Sequence, residues 1–161
     1  MAELITDRVT ADIDDEVVVF LIGMRINRLW KIGKWLPVVR AMPRMLQELY
    51  VQPELGFLGA HSWFGRTTIM LQYWRSFDHL ERYAKDQSRA HLPAWAAFNR
   101  AIGSSGDVGI WHETYRIAPG QYECIYHNMP PFGLARATKT VPASGKRDSA
   151  RQRLHASDKS G

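Results

Sequence analysis

Apolar runs and helical stripes alternate along this chain in a readable order. Glu16–Met24 (EVVVFLIGM) is β-branched and lacks polar alternation, which predicts a strand covered on both faces. Basic residues at 25, 28, 31 and 34 follow, with Trp30 and Trp35 among them. Trp35-Leu36-Pro37 then predicts a helix start, because proline is tolerated in a first turn. Val38, Met42, Met45, Leu46 and Leu49 give that helix its apolar face, and Pro43 inside the pattern predicts a kink or split. Beyond Pro53-Glu54, the runs Leu55–Phe64 and Thr67–Trp74 flank Gly65-Arg66, the pattern of an antiparallel hairpin. The chain turns at Arg75-Ser76 into a helix with Phe77, Leu80, Tyr83 and Ala84 on one side. Pro93 predicts a second helix carrying Trp95, Phe98 and Ile102. After the glycine-serine loop at 103–107, Val108–Ile117 reads as a fourth strand and Tyr122–Met129 as an appended extended segment.

The order β-α-β-β-α-β defines an α+β, ferredoxin-like unit with an antiparallel sheet. Its helices cover one sheet face only, while the first and third strands are apolar on both. A second copy packed sheet against sheet is the simplest cover, so a homodimer is expected. Residues 1–15 read as a loosely packed arm, 16–134 as the domain, and 135–161, poor in aromatic residues, as a disordered basic tail.

Charge sharpens this division. Residues 1–134 hold 14 Lys/Arg and 14 Asp/Glu, whereas the last 27 hold 7 and 2, so the net charge of +5 belongs to the tail. That placement argues against a nucleic-acid partner, and no nucleic-acid motif is present. Cys124 is the sole cysteine, which excludes an internal disulfide and fits a reducing cytoplasm. The acidic N-terminus carries no signal-like apolar core, and no run is long enough to span a membrane.

Histidine dominates the candidate chemistry. His91 stands four residues before Trp95 and seven before Phe98, one helix face, where it can serve as a general base or simply pack. On the fourth strand His112, Ile110, Thr114 and Arg116 share one face, and Trp111, Glu113 and Tyr115 the other. A buried Glu113 needs a cation or a tyrosine hydroxyl, and Arg75 is a candidate partner. The scattered histidines show no paired metal-ligand spacing, so no metal is expected. No G-x-G-x-x-G marks a flavin or nicotinamide site.

Trp74 with Ser76, and the helix running past Tyr83 to His91, resemble the dimeric α/β-barrel superfamily of antibiotic-biosynthesis and haem-degrading monooxygenases. YWRS, HLPAW, VGIWHETY and NMPPFGL are similar to its subfamily containing a fumagillin-pathway enzyme. Tyr83 stands where the haem-degrading branch uses a tryptophan. The resemblance implies a cofactor-independent monooxygenase for a hydrophobic, aromatic or enolisable small molecule. It implies His91 as base, Trp74 and Tyr73 as pocket walls, and Arg75 or Tyr115 holding an oxyanion, with Glu113 a further catalytic candidate. Tyr83, Trp95 and His112 would complete the pocket, and Tyr126 and Asn128 would come from a closing C-terminal segment. A haem protein with an axial histidine, or a non-catalytic ligand-binding dimer, are the other readings of the same scaffold.

Overall fold

The computed structural model describes residues 3–88 and 91–155, apart from the side chains of His91 and Ala94. Four strands build the central sheet: β2 (Val17–Ile26), β3 (Phe57–Trp63), β4 (Ile69–Trp74) and β5 (Val108–Ile117), in spatial order β3-β4-β2-β5. Every pairing is antiparallel, and α1 (Ile32–Val51), α2 (Phe77–Lys85) and α3 (His91–Ala101) connect the strands. This is the ferredoxin-like α+β topology that the order of elements predicts. The hairpin falls between β3 and β4, as the apolar runs require.

Helix α1 differs from expectation. It begins at Ile32 and continues through both Pro37 and Pro43. Each proline removes one backbone donor, yet the helix packs against a core cluster on either side of Pro43. Trp35, Val38 and Val39 meet Met24, Ile26 and Val108, while Leu46 and Leu49 meet Val18, Phe57 and Trp74. Tertiary burial thus holds the two halves as one element. The expected division around Pro93 does occur, with α2 ending at Lys85 and α3 starting at His91.

The terminal segments depart furthest from the sequence reading. Residues 9–12 form strand β1, which pairs antiparallel with β6 (Lys139–Pro142), so the arm is not loose and the tail to residue 155 is not disordered. Short helices α4 (Gly133–Ala137) and α5 (Ala150–His155) flank β6, and residues 156–161 lie outside the described residues. Beside the strand pairing, ion pairs of both senses join the arm to the tail. Lys139 bonds Asp14, Arg8 bonds Asp148 at 3.0 Å, and Arg147 reaches Asp12 at 3.5 Å. Beneath them Arg153, 9% exposed, bonds Glu123 at 2.7 Å. Ala11, Ile13, Leu134 and Ala135 then pack on Val17, Val19, Leu71 and Tyr73, the sheet face turned away from the helices. Much of the face expected to need a second copy is therefore covered by the chain itself. Residues 122–129 form isolated bridges, Val9 to Tyr126 and Ile5 to Met129, rather than a fifth strand.

Asp107 anchors the start of β5. It is 1% exposed and accepts from Arg28 Nη1 at 2.7 Å and Lys31 Nζ at 2.9 Å, while its carbonyl accepts from the amides of Asn27 and Arg28. The Lys31 hydrogen bond, followed by the Arg28 pair, holds the carboxyl below its ordinary value of 3.8. A depressed folded pKa stabilises above the unfolded value and ceases to do so as pH falls through the folded one. Asp107→Asn is expected to lower the melting temperature at pH 7, with the gap to wild type closing below pH 3.8. A gap unchanged at pH 3 in thermal melts would show that the charge is irrelevant.

Candidate active site

The sheet floor is set by register. Facing residues of antiparallel neighbours share a side, so Gln72, Phe20 and Thr114 form one row, and Met70, Ile22 and His112 the next. Trp74 pairs with Val18 at the end of the same face. Above this floor α1, α2 and α3 enclose a cavity of about 580 Å³, within the range typical of small-molecule sites. Its roof includes Met42, Met45, Leu92, Trp95 and Phe98, with small residues Ala41, Ala84, Ala97 and Ala101 leaving the space. Trp95 and Phe98 stack at 5.7 Å with 16° between their planes. His112 and Thr114 are exposed at the β5 edge, and Lys34 and Glu81 are the charged lining residues. Lys34 Nζ is held 2.7 Å from the Ala101 carbonyl, tying α1 to the end of α3.

A smaller annex of about 50 Å³ lies at the inner end, lined by Met70, Gln72, Trp74, Leu49 and Tyr83. It shares Phe20, Ile22, Met42, Met45, Leu80 and Ala84 with the main cavity. Trp74 is 1% exposed and packs edge-on against Phe57 at 5.3 Å and tilted against Tyr83 at 5.7 Å. Its indole nitrogen donates to Gln72 Oε1 at 2.9 Å. The Tyr83 hydroxyl donates to Glu48 Oε2 at 3.1 Å, drawing α2 towards α1. Ser76 caps α2 by accepting from the His79 amide at 3.3 Å.

Of the expected site residues, Trp95 and His112 line the cavity, and Trp74 and Tyr83 line its annex. The side chain of His91 lies outside the described residues, though its neighbour Leu92 lines the cavity. Other expectations need correction. Tyr73 alternates away from Trp74 and packs beneath Leu134 and Ala135, so it is no pocket wall. Burial raises its pKa. Arg75 is exposed at the β4–α2 turn, its described bond being from its amide to the Gly56 carbonyl. Glu113 is bonded by the Tyr115 hydroxyl at 2.6 Å, a tyrosine partner rather than Arg75. Both point to the sheet face opposite the cavity, so neither reaches an oxyanion there. That hydrogen bond raises the Tyr115 pKa. Tyr126 belongs to the same outer layer, its pKa raised by burial, and Asn128 follows it at a left-handed φ of 53°. Neither closes the pocket mouth.

Sequence reasoning missed Gln72, Phe20, Ile22 and Met70. Gln72 stood inside an apolar run, and its alternation with Trp74 was the available signal. No cluster of three or more His, Cys, Asp or Glu that could hold a metal occurs among the described residues. No helix among them is long and apolar enough to cross a membrane.

Comparison with known proteins adds a family. A family described as Monooxygenase af470-like matches residues 17–134. The curated protein Monooxygenase af470 of Aspergillus fumigatus is 29% identical over 164 residues, covering 88% of this chain and 58% of its own length. The chain thus spans just over half of that relative. The crystal structure of aldoxime dehydratase aligns with a TM-score of 0.62 at 17% identity, over 84% of this chain and 44% of that one. SnoaB, a cofactor-independent oxygenase from Streptomyces nogalater, aligns with a TM-score of 0.45 at 17% identity, over 63% and 91%.

The geometry assigns Trp74 a packing role that a stability measurement can check. Trp74→Phe keeps a ring but strands the Gln72 oxygen, and is expected to cost about 1–3 kcal/mol in urea unfolding. Trp74→Ala should cost about 3–5 kcal/mol. The exposed Tyr115→Phe should stay within roughly 0.5 kcal/mol. Equal, small losses for all three would mean that Trp74 is not a core residue.

Proposed function

This chain belongs to the Monooxygenase af470-like family, and from that premise we propose that it is a small-molecule monooxygenase working without a bound cofactor. The observation that carries the reading is the cavity of about 580 Å³, almost entirely hydrocarbon, with the His112 imidazole on its floor. Such a site suits an apolar, enolisable or phenolic substrate. Its own contribution is orientation, an apolar lining and one movable proton.

In this mechanism His112 takes a proton from the acidic carbon of the substrate. The electron pair left behind bonds to dioxygen, and the resulting peroxide anion takes a proton back. Loss of water from the hydroperoxide leaves a carbonyl where two C–H bonds stood. One oxygen atom enters the product and the other leaves as water, so no external reductant is consumed. Thr114 lies two residues along the same strand face and offers a hydroxyl near the open edge.

Two histidines are candidates for the base, and the proposal takes His112, whose side chain is described and lines the cavity. The second sheet face keeps exposed aromatic side chains at its two edges, Tyr115 on β5, 50% exposed, and Trp63 on β3, 44% exposed, and a homodimer through that face accompanies the proposal.

With a turned-over substrate, His112→Ala is expected to lower the oxygen-uptake rate at least about a hundredfold while substrate still binds, and His91→Ala to keep most activity. The reverse pattern would move the base to His91. A stoichiometric Soret shift on adding haemin, lost in His112→Ala, would make His112 an axial ligand and overturn the cofactor-independent mechanism.

A further inference from the structure

One polar side chain is set into the inner end of this hydrocarbon site. Gln72 is 7% exposed and lines the annex, and buried carboxamides are normally satisfied by hydrogen bonds. Its orientation is fixed by chemistry. An indole N–H can only donate, so the Gln72 atom 2.9 Å from Trp74 Nε1 is the oxygen. Rotating the amide would set two donors against each other. The NH2 group therefore points elsewhere, and its described acceptor is Met70 Sδ at 3.1 Å. A thioether is a weak acceptor, and the NH2 group has two N–H bonds to place. Donor capacity is left over on the wall of a space that shares six lining residues with the cavity.

That space is small. At about 50 Å³ it takes little more than one functional group, a water occupying about 30 Å³. No charged residue is among its described lining residues, so a carboxylate or ammonium entering it would lose its hydration without compensation. We propose that Gln72 Nε2 is the specificity-determining donor for a neutral oxygen, carbonyl or hydroxyl, at the leading end of an elongated and otherwise apolar substrate. The inference rests on the cavity being the substrate site.

Register gives the length of that molecule. Gln72 lies across two strand spacings from β5, and His112 is offset from that row by two residues. With about 4.8 Å between strands and about 3.4 Å per residue, the anchoring oxygen and the atom facing His112 are roughly 12 Å apart. Gln72 thus positions the substrate and does not touch the reacting carbon.

The test measures binding rather than turnover. N-phenyl-1-naphthylamine, a neutral fluorescent filler, is displaced from the full chain by 2-undecanone or by undecane. In wild type the ketone should displace it at about tenfold lower concentration than the hydrocarbon. In Gln72→Leu and Gln72→Met that preference should fall to about twofold or less, with undecane still binding as the check on folding. The Gln72 side-chain NH2 resonances of the ¹⁵N-labelled wild type should move with the ketone and stay with undecane, which needs no variant. A ketone preference absent in wild type, unchanged in the variants, or reached without movement of those resonances overturns the inference while the cavity stands. Failure of every neutral ligand to bind overturns the cavity reading as well.

Discussion

A buried indole N–H left without an acceptor is costly, and meeting that need at the nearly inaccessible Trp74 shapes the site. Trp74 fills the floor between β2, α1 and α2, where its rings meet Phe57 and Tyr83. Water does not reach it, so the acceptor has to come from the protein. The nearest position on the same face of the same strand is two residues back, and Gln72 occupies it. A packing demand has thereby placed a carboxamide inside an apolar layer. Core and binding site share one residue pair at their border.

The cavity itself arises from size rather than from any special backbone feature. Four alanines on α1, α2 and α3 line it where larger side chains would take up the space. An open apolar pocket of this size exposes hydrocarbon to water, which is unfavourable unless something fills it. Methionines beside the alanines give that roof conformational latitude, while the floor is fixed by strand pairing. The result is a precise surface beneath an adaptable one, which suits an apolar guest gripped at a few polar points.

Much of the architecture was legible because strand and helix periods are visible in residues such as Val17–Ile26 and Phe77–Lys85. The opposed faces of His112 and Glu113 followed from strand alternation alone, and the cavity respects them. That rule, applied to Tyr73 and Trp74, also forbids both from lining one pocket, although an aromatic pair at a strand end reads as a double wall. The tail was illegible for a different reason. Its lysines and arginines are ordinary solubilising residues until they meet a partner. The partners, Asp12, Asp14 and Glu123, lie far away in sequence. Composition measures neither pairing nor distance. Pro43 is a similar case, where the local rule is right about the missing donor but packing on either side decides the helix.

Strand β5 carries His112, yet among the described residues it is an edge strand paired with β2 alone. Its position depends on restraints away from the site. Asp107 clamps its start to the segment before α1 through Arg28 and Lys31. On the outer face the Trp111 ring lies over Gly23, where a Cβ would sit 2.7 Å from its Nε1 and 2.0 Å from the Thr68 carbonyl. Only glycine admits that approach of indole and backbone. The indole nitrogen is buried there without a hydrogen-bond partner among the described residues, a cost accepted for a ring that presses the strand onto its neighbour. With β5 held from behind and at its start, His112 and Thr114 remain at an open edge without the burial that would otherwise fix them. An exposed imidazole on a clamped strand can meet the guest and still exchange protons with solvent between its two steps.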